Sequence, residues 1–216
     1  MMHLTPVERL AEWCKKNALA WPDSAAERFE RYMALILKYQ AQTNLTGFST
    51  ADALVDGRII DTLQLLRILV PQGPLVDVGS GAGVPAIPLK ILCPEVEMHL
   101  IEPRTKRYAF LGLVVRELGL DGVFLHNSRV EQTPLVGIRT AVSKAFAPPP
   151  QWLELCREWA LSGAVVAGYF SLDDYQALQA LPQKLGYAQK KILIEGARVW
   201  VTYEMDEKCV KCAFRA

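Results

Sequence analysis

The sequence predicts an α/β fold: a mostly parallel sheet with helices on both faces, a C-terminal antiparallel hairpin and a set of N-terminal helices. Three observations carry this. From residue 75 onward short apolar runs alternate with helix-length segments, the pattern of βαβ crossovers. The first of those runs ends in glycines, VDVGSGAGVP over 76–85. The first 70 residues read instead as helices.

Thr5-Pro6 opens the first helix, the hydroxyl as N-cap and the proline in the first turn. Asp23-Ser24 opens the second, in which Phe29, Met33, Ile36 and Gln40 share a face. Residues 51–69 form another helix, weakened at Gly57, and Pro71–Pro74 is a connector. Strands are expected at 75–79, 97–102, 123–126, 139–143 and 163–169, with helices at 84–92, 104–118, 149–161 and 173–181. In the tail, RVWVTYEM (198–205) and KCVKCAFR (208–215) read as a hairpin turning at Asp206-Glu207. A helical subdomain is thus expected over 1–70 and the sheet domain over 71–216.

The 216 residues are 51% hydrophobic and 22% charged, the composition of a folded globular chain. No apolar run approaches the roughly 20 residues that span a bilayer, and the N-terminus reads as neither a signal nor a transit peptide. A cytoplasmic monomer without membrane contact is expected. The net charge of +1 gives no global basic field, so any nucleic-acid contact must use a local patch. The five cysteines read as reduced thiols. Cys209-Val-Lys-Cys212 lacks a second pair and a nearby histidine, so no metal site is expected.

In the glycine turn, Gly79, Gly81 and Gly83 follow the order G-x-G-x-G, and Val84 occupies the sixth position of the dinucleotide fingerprint. A branched side chain there, followed by Pro85 without an N–H, disfavours a seated pyrophosphate and a nicotinamide-dependent oxidoreductase. The pattern fits adenosine without phosphates, lying over Gly79, Gly81 and Gly83 above the strand residue Asp77. Glu102, at the end of the second strand, is placed to accept the ribose hydroxyl protons.

Taken in order, VDVGSGAGVPAIPLKIL, HLIEPRTKRYAFL, NSRVEQ and VSKAFA resemble the successive motifs of the RsmG/GidB family of bacterial 16S rRNA (guanine-N7) methyltransferases. NLTGF (Asn44–Phe48) and RIIDT (Arg58–Thr62) sit where that family has N-terminal signatures. The resemblance spans about 28–170. It implies a class I S-adenosylmethionine methyltransferase with a Rossmann-like sheet, S-adenosyl-L-methionine as cofactor, and 16S rRNA or the 30S subunit as partner. It also implies cofactor contacts at Gly79, Val84, Val130, Glu131 and Lys144.

Guanine N7 carries an in-plane lone pair, so its methylation needs alignment and no base. None of His3, His99 and His126 is read as a catalyst, and the catalytic residue is left open with Lys144 as a substrate-side candidate. Exocyclic-amine methylation commonly uses Asn/Asp-Pro-Pro-aromatic, where this chain has Ala147-Pro148-Pro149-Pro150. Cytosine C5 chemistry needs a thiolate, and Cys156 reads as a core residue.

Three positions depart from the family. Lys144 replaces arginine and loses the planar fork, and Arg58 replaces histidine and is expected at RNA phosphate. Ala167-Gly168-Tyr169-Phe170 replaces a lysine-bearing segment, leaving Tyr169 or Phe170 either to stack a base or to fill the core. These departures motivate a second reading, a cofactor-binding module without turnover acting in ribosome assembly, or another RNA target. The expected RNA patch is Arg58, Arg104, Lys106 and Arg107, joined by Arg28, Arg31 and Lys38.

Overall fold

The computed structural model describes residues 4–43, 47–178, 180–206 and 208. Helix α1 (Pro6–Lys16) starts on a capping box in which Thr5 and Glu8 exchange hydrogen bonds. Helix α2 (Ala25–Thr43) follows, and Trp21 stacks on its Phe29. The helix expected over 51–69 is broken into α3 (Ala51–Leu54), a π turn (Val55–Ile59), α4 (Ile60–Leu63) and a 3₁₀ turn (Gln64–Arg67). The widened turn contains Gly57, the weak point of the pattern. A Cβ there would lie 2.5 Å from the Phe48 ring, so only glycine admits that ring.

The sheet follows the alternation in the sequence: β1 (Leu75–Val78), α5 (Ala86–Leu92), β2 (Met98–Ile101), α6 (Thr105–Glu117), β3 (Val123–His126) and β4 (Thr140–Lys144). Next come α7 (Pro149–Leu155), α8 (Arg157–Leu161), β5 (Val165–Ser171), α9 (Leu172–Leu178), α10 (Leu181–Lys184), β6 (Tyr187–Glu195) and β7 (Arg198–Met205). Between β3 and β4 a 3₁₀ turn, Val130–Gln132, stands where a crossover helix would run.

Strand order is β3-β2-β1-β4-β5-β7-β6, parallel through β5 and antiparallel at β7 and β6. The hairpin therefore lies one strand earlier than expected. Its strands are β6 and β7, joined at Gly196-Ala197, and β7 is paired on both sides, by β5 and β6. Residues 209–216, most of the expected last strand, and the CxxC pair lie outside the described residues.

Period two divides the core. Leu75, Met98, Leu100, Val142, Ala167, Tyr169 and Trp200 face α1–α6, where Leu10, Phe29, Tyr32, Ile59, Leu63 and Leu111 pack. Val76, Val78, Ile101, Val166, Phe170 and Val201 face the other layer, with Trp152 and Cys156. Cys156 is wholly buried and its thiol pushed up by burial, consistent with the core reading. Among the described residues no helix is long and apolar enough to cross a membrane.

Candidate cofactor site at the strand tips

The order of the sheet reverses between β1 and β4, where ligands of open α/β sheets bind beyond the carboxyl ends. At the tip of β1, Gly79, Gly81 and Gly83 have φ of 74°, 59° and 91°, the left-handed region that L side chains avoid. Gly79, Ser80, Gly81 and Ala82 line a crevice of about 170 Å³ together with Arg58, Val84, Arg107, Lys144 and Ala145.

Glu102 is fixed beside the turn. It is 3% exposed, and its carboxylate accepts from Gly81 N–H at 2.9 Å and from Arg104 N–H at 2.8 Å. Each oxygen thus has one main-chain donor and keeps acceptor capacity for a ligand hydroxyl. The Asn127 amide, beyond β3, donates to the Glu102 and Pro103 carbonyls and ties the neighbouring tips together.

The glycines differ in what they make room for. A Cβ on Gly79 would lie 2.4 Å from Phe146 Cδ2, so the Phe146 ring packs directly on the turn. At Gly83 a Cβ would meet Ile87 at 2.4 Å, and the vacancy there serves helix packing. Asp77 lies beneath the turn, wholly buried, and neither carboxylate oxygen has a hydrogen-bond partner. Burial pushes it up to about 7; the nearby Ser80 hydroxyl and Ala86 N–H oppose the rise and the Glu102 charge adds to it. Val130 and Glu131 lie in the 3₁₀ turn after β3, Val130 packed against the core and Glu131 exposed.

Lys144 ends β4 with its side chain 3% exposed. Its Nζ donates to the Arg58 carbonyl at 3.1 Å, lies 3.5 Å from Asp61 Oδ2, and sits 4.6 Å from the centre of the Tyr169 ring. Burial draws its pKa down to about 8, opposed by Asp61 and assisted by Arg58 and Arg198. Lys144 pairs across the sheet with Tyr169, and Tyr169 with Trp200. All three converge on Asp61: the Tyr169 hydroxyl donates to its carboxylate at 2.7 Å and Trp200 Nε1 to its carbonyl at 2.5 Å. Sequence reasoning missed Asp61. The signal was there in the strand period, which puts 144, 169 and 200 on the face toward the N-terminal helices.

Tyr169 and Phe170, each 6% exposed, are core aromatics and not base-stacking groups. Of the expected RNA patch, Arg104 and Lys106 are exposed, Arg107 turns into the crevice lining, and Arg58 lies over the Phe48 ring. Arg28 donates to the Gly119 carbonyl and Arg31 pairs with Glu117. These paired groups line a cavity of about 600 Å³ between α2 and the end of α6, lined by none of the strand-tip residues. Residues 44–46 of the NLTGF stretch lie outside the described residues.

Comparison with known proteins bears on the fold and the family. A crystal structure of an S-adenosylmethionine-dependent methyltransferase from Aquifex aeolicus superposes with a TM-score of 0.56 at 16% identity, covering 71% of this chain and 92% of that one. A mutant of MtNAS crystallised in complex with S-adenosylmethionine gives 0.56 at 15%, covering 82% and 76%. At such identities the likeness is one of fold. Ribosomal RNA small subunit methyltransferase G of Wolinella succinogenes is 39% identical over 143 residues, 66% of this chain and 74% of that protein. The protein of the same name in Chromobacterium violaceum is 30% identical over 177 residues, covering 82% and 84%. Residues 25–198 match the GidB family, rRNA small subunit methyltransferase G, and with the glycine turn, its capped glutamate and the 3-2-1-4-5 sheet in place, the chain belongs to that family.

Proposed function

We propose that this protein transfers the methyl group of S-adenosyl-L-methionine to N7 of a guanine in 16S rRNA, acting on the small subunit or its rRNA in the cytoplasm. Family membership makes it an S-adenosylmethionine-dependent rRNA methyltransferase. The observation that carries the site assignment is the Glu102 carboxylate, fixed by two main-chain donors, one of them Gly81 of the glycine turn. Glu102 holds the ribose hydroxyls there, the Gly79–Gly81 backbone supports the adenosyl group, and Val84 packs against it. The N-terminal helices, proposed as a unit over 1–70, bring Arg58 beside the crevice.

The residues fit the cofactor, although the crevice is smaller than the roughly 300 Å³ at which small-molecule sites begin. Arg107 is among the residues that line it, and the Phe146 ring packs on Gly79. When bound, the cofactor would supply an already activated methyl group, which N7 could take on its in-plane lone pair without losing a proton. The residues here need only orient the reactants and exclude water.

Incubation with labelled cofactor and unmodified 30S subunits, followed by mapping of N7-methylguanine, tests this. One labelled guanine in 16S rRNA is expected. Label confined to protein, or found at another ring position, would overturn the reading.

A further inference from the structure

A second cavity, about 330 Å³, opens beyond the tips of β4 and β5. Ala145 lines both this cavity and the cofactor crevice, so the Ala145-Phe146 segment is their common wall. Ala145 has φ 57°, unusual for a residue with a side chain, and Phe146, at 38% exposure, projects from this bend. Pro148 and Pro149 add flat apolar surface.

The polar groups at this cavity are arranged for recognition. Arg198 is the cross-strand partner of Ser171. The Ser171 hydroxyl donates to Asp174 Oδ2 at 2.6 Å, and Asp174 N–H donates back to it at 3.1 Å, orienting the carboxylate at the start of α9. The Arg198 guanidinium makes no hydrogen bond or ion pair with the described residues, yet its charge is felt at both Lys144 and Tyr169, adding slightly to the fall that burial causes in the first and opposing the rise that burial causes in the second. An uncommitted cation and an oriented carboxylate thus flank an aromatic wall, next to the site where the methyl donor binds.

Resting on the function proposed above, we infer that this cavity takes the target guanine. Phe146 stacks on the base, the Asp174 carboxylate accepts from N1–H and the N2 amino group, and Arg198 donates to O6. The usual arginine fork on O6 and N7 would cover the reacting nitrogen. Holding the Watson–Crick edge instead leaves N7 free to face the shared wall and the methyl group. Adenine is rejected by the same pair, because its N6 amino group opposes Arg198 and its N1 lone pair opposes Asp174.

The test uses full-length wild type, Asp174→Asn and Arg198→Gln. S-adenosylhomocysteine affinity by calorimetry should stay at the wild-type value in both variants. Single-turnover methylation of 30S subunits should fall roughly 10- to 100-fold in each. Subunits carrying inosine, which lacks the N2 amino group, at the mapped position should react more slowly with wild type and cost Asp174→Asn little more, because the partner is already gone. Wild-type rates in both variants would overturn the inference while leaving the proposed function intact, as would inosine and Asp174→Asn penalties that simply multiply. Failure of the wild type to methylate any guanine would overturn both.

Discussion

The Lys144 ammonium lies 3.5 Å from the Asp61 carboxylate, joining the end of β4 to α4 across the wall of the crevice. The folded chain holds Lys144 near 8 against an ordinary 10.5, because burial outweighs the Asp61 charge. Between those values the unfolded state binds the extra proton. Stability should therefore rise as pH goes from 8 toward 10.5, relieving a cost that is fully present below 8. Urea titrations over this range should show that rise in wild type and lose it in Lys144→Met. Asp61→Asn should destabilise at pH 7 by on the order of 2 kcal/mol, less than a fully buried pair loses because about a third of the Asp61 side chain reaches solvent.

Asp77 has the opposite sign. Its folded pKa of about 7 stands above the ordinary 3.8, so the folded state binds the extra proton between them and stability falls as pH rises across that window. Asp77→Asn, neutral and nearly isosteric, should melt above the wild type at pH 8. If the charge beneath the turn serves the cofactor, the same variant binds S-adenosylhomocysteine more weakly, and calorimetry beside the melts reads that exchange.

Gly79→Ala adds a Cβ at 2.4 Å from the Phe146 ring, on a backbone with φ 74°. A loss of about 1–2 kcal/mol in stability and a marked fall in S-adenosylhomocysteine affinity are expected. Combining it with Phe146→Ala should recover part of the stability, since the ring clash goes and the backbone strain stays. Denaturant melts of the four-member cycle measure the recovery.

Glu102→Gln keeps the size of the side chain and replaces one acceptor oxygen by a donor that opposes Gly81 N–H or Arg104 N–H. Affinity for S-adenosylhomocysteine should drop roughly 10- to 100-fold, the cost of leaving buried polar groups mismatched. Calorimetry with adenosine and with 2′-deoxyadenosine should show the variant indifferent to the missing hydroxyl.

Arg104 and Lys106 are exposed at the start of α6, next in sequence to the crevice-lining Arg107. Replacing both by alanine should weaken 30S binding and reduce the salt slope of log Kd by roughly one per residue, with cofactor affinity unchanged. Filter binding at several salt concentrations reads the slope.

What the sequence revealed follows from which forces are local. The first five strands were legible because each is a short apolar run set off from its neighbours by helical segments, and the glycine turn because positive φ selects the residue. The β6 strand was not. Its pairing shifts between Gln189 and Lys191, so the alternation of YAQKKILIE breaks in the middle and the run loses its strand signature. The Gly196-Ala197 turn, a short hairpin signal, was present but lacked a recognisable first strand. Asp61 stayed hidden because the five-residue π turn before it shifts the helical phase, so a 3.6-residue count places it wrongly. Of the residues that line the crevice, Arg58, Gly79, Gly81, Val84, Arg107 and Lys144 were named one by one, and Ser80 and Ala82 were not. Their grouping around Lys144, Tyr169 and Trp200 depended on the order of the strands in space.

That order has a consequence for how the chain is made. The last of the described strands, β7, is an inner member of the sheet, and its Trp200 indole clasps α4. Until residue 205 has emerged, β5 is left with a raw hydrogen-bonding margin along Val166–Ser171, a template for mispairing with other nascent chains. A protein that stops short of β7 would lose more than a tail: the middle of its sheet would stay open.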